Sequence, residues 1–191
     1  SGITQTLYGV WGATKSDVYA VGVAGKITHF DGTAWSPQIS GTASNLEDVK
    51  GVDASNIWAV SDAGAILKSD GVAWTPQTSG TTKSLNSLYA LDKTHVWAVG
   101  DSGTILFFNG TSWSAQVSGT VTKLRSVHGI AANQVWAVGD GGVTLRFDGT
   151  AWALGPATPA FALAKILVRS ASSAWIVGQA GSIFTFDEIG R

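Results

Sequence analysis

The chain contains two nearly identical stretches, VWAVGDSGTILFFNGTSW at residues 96–113 and VWAVGDGGVTLRFDGTAW at residues 135–152. Three further copies of the same pattern are less similar. Three columns recur every 39 residues without an insertion: an aromatic residue, a leucine and a glycine. They comprise Tyr19, Trp58, Trp97, Trp136 and Trp175; Leu7, Leu46, Leu85, Leu124 and Leu163; and Gly25, Gly64, Gly103, Gly142 and Gly181. A constant period of this length over five copies indicates a repeat architecture.

One unit contains four short apolar stretches separated by turn residues. Within residues 85–117 these stretches are LNSLYA, VWAVG, TILFF and WSAQV, and most residues between them are polar or glycine. Valine, isoleucine and aromatic residues favour strands, and Asn-Gly or Asp-Gly pairs favour tight hairpins. Each unit is therefore predicted to be a four-stranded antiparallel meander, which is the size of one β-propeller blade. Residues 156–167, PATPAFALAKIL, align with the first strand of the other units and are interpreted in the same way.

The repeats predict an all-β fold, a five-bladed β-propeller of 39-residue blades that forms a single domain over residues 1–191. The units run roughly over residues 1–39, 40–78, 79–117, 118–156 and 157–191, and the last blade lacks its outer strand. We expect the ring to close by blade-to-blade packing. The third strand of the last blade, SIFTF, then has an open edge, and open edges invite pairing. Self-association through that edge is a hypothesis. A solenoid of sheets is a weaker alternative, because the end units show no polar capping faces.

Composition excludes several classes of function. The chain has 45% hydrophobic residues, 13% charged residues and a formal net charge of −1, so no basic surface for nucleic acid is expected. It has no cysteine, which excludes disulfides and thiolate metal sites. No apolar run reaches the ~20 residues of a membrane helix, so no membrane insertion is expected. The three histidines lie in three different columns and GDGGVTL lacks the lysine of a P-loop, so neither a metal site nor a cofactor is predicted.

The repeat pattern also resembles a known family. Trp97-Ala98-Val99-Gly100, Gly103, Ile105, Asn109-Gly110 and Trp113, with their counterparts, are similar to the repeats of bacterial BNR (Asp-box) and Ycf48-like propellers, and more so to repeats in large secreted proteins of myxobacteria. The resemblance covers essentially the whole chain and implies a propeller and an extracellular or cell-surface bacterial protein. The turn before Trp113 departs from a full Asp box. The high similarity among the units leaves an engineered or reconstructed propeller as an alternative.

Two columns on the first strand vary although the surrounding frame is nearly constant. Their polar and aromatic members are Trp11, Lys50, Tyr89 and His128, and Tyr8, Glu47, Asn86 and Arg125. In this family the first strand lines the central axis. Unlike side chains at the centre of a symmetric frame predict one asymmetric ligand-binding pocket, so these eight are candidate binding residues. The alternative is free variation at a solvated surface.

A second set of candidate binding residues is the tryptophan column at the start of the fourth strand. It contains Trp35, Trp74, Trp113 and Trp152. Each follows a turn, where a partly exposed indole is available for stacking on a sugar ring. The alternative is that these side chains pack between blades, as large aromatic residues commonly do.

No arrangement of residues predicts catalysis. A glycosidase needs two carboxylates across its channel, and the available acids are Glu47, Asp48, Asp53 and Asp92. Glu47 and Asp48 are adjacent, so they point to opposite faces of a strand, and the other two stand where a turn needs a capping aspartate. The leading interpretation is thus a non-enzymatic module that binds a glycan, as a lectin does, or a protein. A scaffold without a ligand is the alternative, and a glycosidase-like hydrolase is a remote one.

Overall fold

The computed structural model describes residues 4–156, 158–171 and 173–186 and arranges them in five antiparallel sheets, four of four strands and one of three. Each sheet is one blade. The strands are, for blade 1, β1 (Leu7–Thr14), β2 (Asp17–Gly22), β3 (Ile27–Phe30) and β4 (Trp35–Gln38); for blade 2, β5 (Leu46–Asp53), β6 (Asn56–Ser61), β7 (Ile66–Ser69) and β8 (Trp74–Gln77); for blade 3, β9 (Leu85–Asp92), β10 (His95–Gly100), β11 (Ile105–Phe108) and β12 (Trp113–Gln116); for blade 4, β13 (Leu124–Ala131), β14 (Gln134–Gly139), β15 (Thr144–Phe147) and β16 (Trp152–Leu154); and for blade 5, β17 (Leu163–Ser170), β18 (Ser173–Gly178) and β19 (Ile183–Phe186).

This architecture confirms the predicted five-bladed propeller with a three-stranded last blade. Each blade is a meander in which neighbouring strands pair in chain order. In blade 3, for example, Trp97 of β10 lies opposite Tyr89 of β9 and Phe107 of β11. Among the residues that the structure describes, no helix is long and apolar enough to cross a membrane.

Local turn chemistry explains why the strands end where they do. Between β11 and β12, the Asn109 side chain accepts the backbone N–H groups of Thr111 and Ser112, each at 3.0 Å. Gly110 in that turn has φ +98°, a left-handed conformation that glycine adopts without strain. A short 3₁₀ turn, Asp101–Gly103, joins β10 to β11. The side chains of the turn columns therefore serve the hairpins, as the sequence predicts.

Adjacent blades pack face to face through the same columns. Between blades 3 and 4, Trp97, Val99 and Ile105 form one side of the interface, and Leu124 and Val127 are among the residues of the other. All five are almost completely buried. The trailing face of a blade is the face that carries the columns of Trp97, Val99 and Ile105. The leading face is the face that carries the columns of Leu124 and Val127. Burial of these apolar faces is the main source of stability of the fold.

The first and last blades do not meet as consecutive blades do. Successive inner strands are in extensive contact from β1 to β17, but within the described ranges β1 and β17 make no comparable contact. On the leading face, Val10 of blade 1 is 63% exposed whereas Val49 of blade 2 is fully buried. On the trailing face, Val177 of blade 5 is 43% exposed whereas Val138 of blade 4 is fully buried. The five blades therefore form an open arc.

The expectation that the ring closes by blade-to-blade packing is therefore wrong within the described residues. Closure would need a fifth apolar interface as densely packed as the four between consecutive blades. Each interface contains a buried tryptophan or tyrosine, and in the interface between blades 3 and 4 the rings of Trp97 and Phe147 are 6.2 Å apart. Four such interfaces join consecutive blades, and within the described residues no comparable fifth one joins blade 5 to blade 1.

Candidate functional site

The inner strands surround a cavity of 390 Å³, which we call the axial cavity. The four side chains of one predicted column, Trp11, Lys50, Tyr89 and His128, all line it. The blade repeat brings them together because each occupies the same position on β1, β5, β9 and β13. Its volume lies in the range of small-molecule and peptide side-chain pockets.

Sequence reasoning missed a second column that lines the axial cavity. It contains Asp48, Ser87, Ser126 and Lys165. A signal was present, because this column also varies, although it repeats serine and has a glycine at the equivalent position of the first unit. It was overlooked because it directly precedes the buried column of Val49, where packing was expected.

Asp48 is the most buried charged group of the cavity, with 5% of its surface exposed. Its Oδ1 accepts hydrogen bonds from Lys50 Nζ at 2.6 Å and from the Val49 N–H at 2.9 Å. Its Oδ2 accepts the Leu88 N–H at 3.0 Å and the Ser87 hydroxyl at 3.3 Å. A buried carboxylate is stable only when it is paired in this way. Asp48 therefore links blade 2 to blade 3 and holds Lys50 at the cavity wall.

Tyr89 and His128 form a neutral part of the wall, with ring centroids 5.1 Å apart. His128 Nδ1 accepts the Val168 N–H at 3.1 Å, so the neutral ring carries its proton on Nε2. Burial, and then the charge of Lys50, lower the pKa of His128. Burial, and then the charge of Asp92, raise the pKa of Tyr89 to about 12. Both rings are therefore uncharged near neutral pH and offer hydrogen bonds without charge.

The aromatic rings of the cavity sit over glycines of the following blade. A Cβ on Gly51 would lie 2.6 Å from the ring of Trp11, and a Cβ on Gly129 would lie 2.9 Å from the ring of Tyr89. Neither distance is tolerated by packed atoms, so the missing side chains make room for the rings. The glycine column therefore shapes the cavity, although glycine carries no binding group.

The other predicted inner column lies around a separate cavity of 240 Å³. Glu47, Asn86 and Arg125 line it, whereas Tyr8 is half exposed and does not. Two of its polar side chains already have partners: Arg125 donates from Nε and from one terminal nitrogen to Asp140, and Asn86 Nδ2 donates to Asp101 Oδ1 at 3.0 Å. The two predicted columns therefore do not form one pocket, and the axial cavity is the better candidate because it is the larger one and all four side chains of its column line it.

The acids do not form a catalytic pair. Glu47 and Asp48 line different cavities, as their adjacency on a strand predicts. Burial, and then the charge of Asp62, raise the pKa of Glu47. Asp53 accepts the Ser55 N–H at 2.8 Å and Asp92 accepts the N–H of Thr94 at 2.7 Å, so both cap turns as expected.

Three of the outer tryptophans pack between blades, and the fourth, Trp35, packs against Phe30 of its own blade. Trp74 and Trp152 are buried, and their indole N–H groups donate to Gln38 at 2.9 Å and Gln116 at 2.7 Å, each on the preceding blade. Trp35 and Trp113 are partly buried, and the indole nitrogen of Trp113 has no hydrogen-bond partner. Because three of these four rings serve the interfaces, the column is not part of the candidate site. Its role in ligand binding stays a prediction.

A further cavity of 660 Å³ lies where blade 3 connects to blade 4. Gln116, Val117, Ser118 and Val121 are among the residues that line it. The two valines are almost fully exposed. Apolar side chains in this loop are the feature of the sequence that could have pointed to the cavity. Serine and threonine side chains there bond mainly to their own loop, so the cavity offers few directed polar groups.

Comparisons with known proteins identify the fold. No protein-family model matches the chain, and no curated protein matches it. The structure of YCF48 bound to D1 peptide is similar, with a TM-score of 0.54 and 15% identity over 100% of this chain and 80% of that one. YCF48 from Cyanidioschyzon merolae gives 0.50 and 14% over 97% of each chain. The RRP9 WD40 repeats give 0.80 and 8% over 98% of this chain and 69% of that one. At such identities the likeness concerns the fold alone: the chain is a β-propeller repeat protein.

Proposed function

We propose that this propeller is a non-enzymatic binding module that takes a peptide segment of a partner protein in the axial cavity. The proposal rests on one contrast: the columns that build the blades repeat nearly unchanged, whereas the column that lines the axial cavity differs in every blade. Trp11, Lys50, Tyr89 and His128 occupy one column, yet differ in charge, size and hydrogen-bonding capacity. A packing column does not require this diversity, whereas recognition of one asymmetric ligand does.

The chemistry of the wall suits a carboxylate next to an apolar or aromatic group. Lys165 is exposed at the cavity and makes no salt bridge within the part of the chain that the structure describes. Lys50 lies nearby with its charge shared with Asp48. Trp11 supplies an aromatic surface beside them. An acidic side chain of a peptide would pair with Lys165 while its neighbour packs against Trp11.

A structural neighbour supports the choice of a peptide. The YCF48 structure of similar fold is of a complex with a D1 peptide, which shows that a propeller of this outline accommodates a peptide ligand. Glycan binding is the second candidate, and Trp11 favours it because sugars stack on exposed indoles. An extracellular bacterial origin and membership of the BNR or myxobacterial repeat group belong to the same proposal and rest on the repeat pattern of residues 96–113.

The test is selection of ligands from a random peptide display library, run beside a glycan array with and without calcium. We expect enrichment of acidic peptides whose affinity falls by about tenfold or more in Lys165→Glu and in Trp11→Ala. Lys83→Glu, an exposed lysine in the loop before blade 3, is the matched control and should bind as the wild type does.

Three outcomes contradict the peptide proposal. Binding to one related set of glycans and to no peptide would favour a lectin. An equal loss in Lys83→Glu and Lys165→Glu would show that net charge rather than the cavity determines binding. No ligand in either screen would favour a scaffold without a ligand. Circular dichroism and thermal unfolding of each variant establish that a loss is not due to misfolding.

A further inference from the structure

We propose that the trailing face of blade 5 binds the leading face of blade 1 of a second copy of this chain, head to tail. Within residues 4–156, 158–171 and 173–186, no element packs over either face as a neighbouring blade would, and the two faces are the two halves of one interface. That interface occurs four times inside the chain, between blades 1 and 2, 2 and 3, 3 and 4, and 4 and 5. The proposal is independent of the axial cavity and its ligand.

The trailing face of blade 5 keeps the residues of a buried interface. Trp175, Val177 and Ile183 occupy the columns of Trp97, Val99 and Ile105, which are buried against blade 4. In blade 5 the isoleucine is 65% exposed and the tryptophan 44% exposed. A large apolar patch of this kind on a soluble protein marks an interaction surface.

The leading face of blade 1 presents the matching half. Leu7 and Val10 occupy the columns of Leu124 and Val127, which receive the trailing face of blade 3. Both are exposed in blade 1. A second copy therefore offers blade 5 the same columns that each trailing face meets inside the chain.

A steric detail of the inner strand fits the same contact. Trp11 and Tyr89 lie over a glycine of the following blade, and Leu167 occupies their column in blade 5. Leu167 is half exposed. The equivalent glycine of blade 1 is Gly12, which is also exposed. Leu167 of one copy is thereby placed to pack over Gly12 of the next.

The pairing of two unlike faces determines the kind of assembly. A head-to-tail contact leaves one face of each type free, so it continues until the copies close a ring or form an open filament. A face that paired with itself would instead stop at a symmetric dimer. Neither face carries a charged residue in the columns named above, so association is driven by apolar burial and should persist at high salt.

The experiment measures the mass of the intact chain by sedimentation velocity over a wide range of protein concentration. We expect self-association in the wild type. Val10→Asp blocks the leading face and Val177→Asp blocks the trailing face, and each should weaken association by more than about tenfold, because a carboxylate would be buried without a partner. Both positions are exposed in the single chain, so the folded protein tolerates the change. Val72→Asp, at an 85% exposed valine outside both faces, is the control.

Mixing the two variants tests the head-to-tail geometry. Val10→Asp retains an intact trailing face and Val177→Asp retains an intact leading face, so an equimolar mixture should form a dimer and nothing larger. A wild type that is monomeric at every concentration overturns the proposal. So does association of either variant to the wild-type extent, which would place the contact elsewhere, for example at the open edge of β19.

Discussion

Val99 and Val177 occupy the same column of the repeat, one inside the arc and one at its end. Replacing either with alanine removes the same two methyl groups. Val99 is fully buried, so its loss costs about 1.6 kcal/mol of transfer free energy, at about 0.8 kcal/mol for each buried carbon. The cavity left in a packed interface raises the total cost to about 2–3 kcal/mol. Val177 is 43% exposed, so its truncation should cost about 1 kcal/mol or less.

The assay is thermal unfolding followed by tryptophan fluorescence, at a protein concentration at which the chain is monomeric. For a chain of this length, Val99→Ala should lower the melting temperature by about 4–12 °C, and Val177→Ala by about 4 °C at most. Equal losses of stability in the two variants would mean that blade 5 is covered in the monomer. The open arc, and the reasoning that derives self-association from it, would then be wrong.

Three further outcomes follow from single contacts. Stability should fall between pH 10 and pH 12, because Tyr89 has a pKa of about 12 when folded and ionises near 10 when unfolded. In Tyr89→Phe the melting temperature should therefore vary less over that range, and an unchanged profile would contradict the assignment. His128 has a lowered pKa in the folded chain, so stability should also fall as the pH drops below 6.5, and His128→Asn should reduce that fall in the same thermal assay. Gln38→Leu should lower the free energy of unfolding in urea by about 1–2 kcal/mol, because the Trp74 N–H loses its acceptor. Gln77→Leu should lower it less, because Gln77 bonds only to the carbonyl of its neighbour, and equal losses would argue against the inter-blade bond.

The strands were predictable because their determinants are local. The VWAVG phrase and the turn residues around it place β10 and β11 within one or two residues of their bounds in the structure. The first strand is longer than predicted: β9 runs to Asp92, whereas the LNSLYA stretch ends at residue 90. An irregularity in the pairing with β10 lets Asp92 lie opposite His95, and a single sequence carries no clear signal for such a bulge.

The candidate site was predictable only in part. Variation within a repeated frame identified Trp11, Lys50, Tyr89 and His128, which the structure brings to one cavity. The same criterion selected the column of Glu47, which lines a different cavity. Which side of the inner strand a residue faces depends on the irregular pairing near the start of each first strand, and that offset is a property of the folded sheet rather than of the repeat.

By itself the sequence determined the number of blades, their order and the columns that form their interfaces, because a 39-residue period and alternating apolar residues are properties of the chain alone. Only the tertiary structure decided that five blades form an open arc. The reason is physical: whether the two end faces meet depends on how the four buried interfaces, such as that of Trp58 and Leu88, orient successive blades, and the local repeat pattern does not encode that orientation. Val10 and Val177 at the ends of the arc consequently stay exposed, whereas their counterparts Val49 and Val138 are buried between blades.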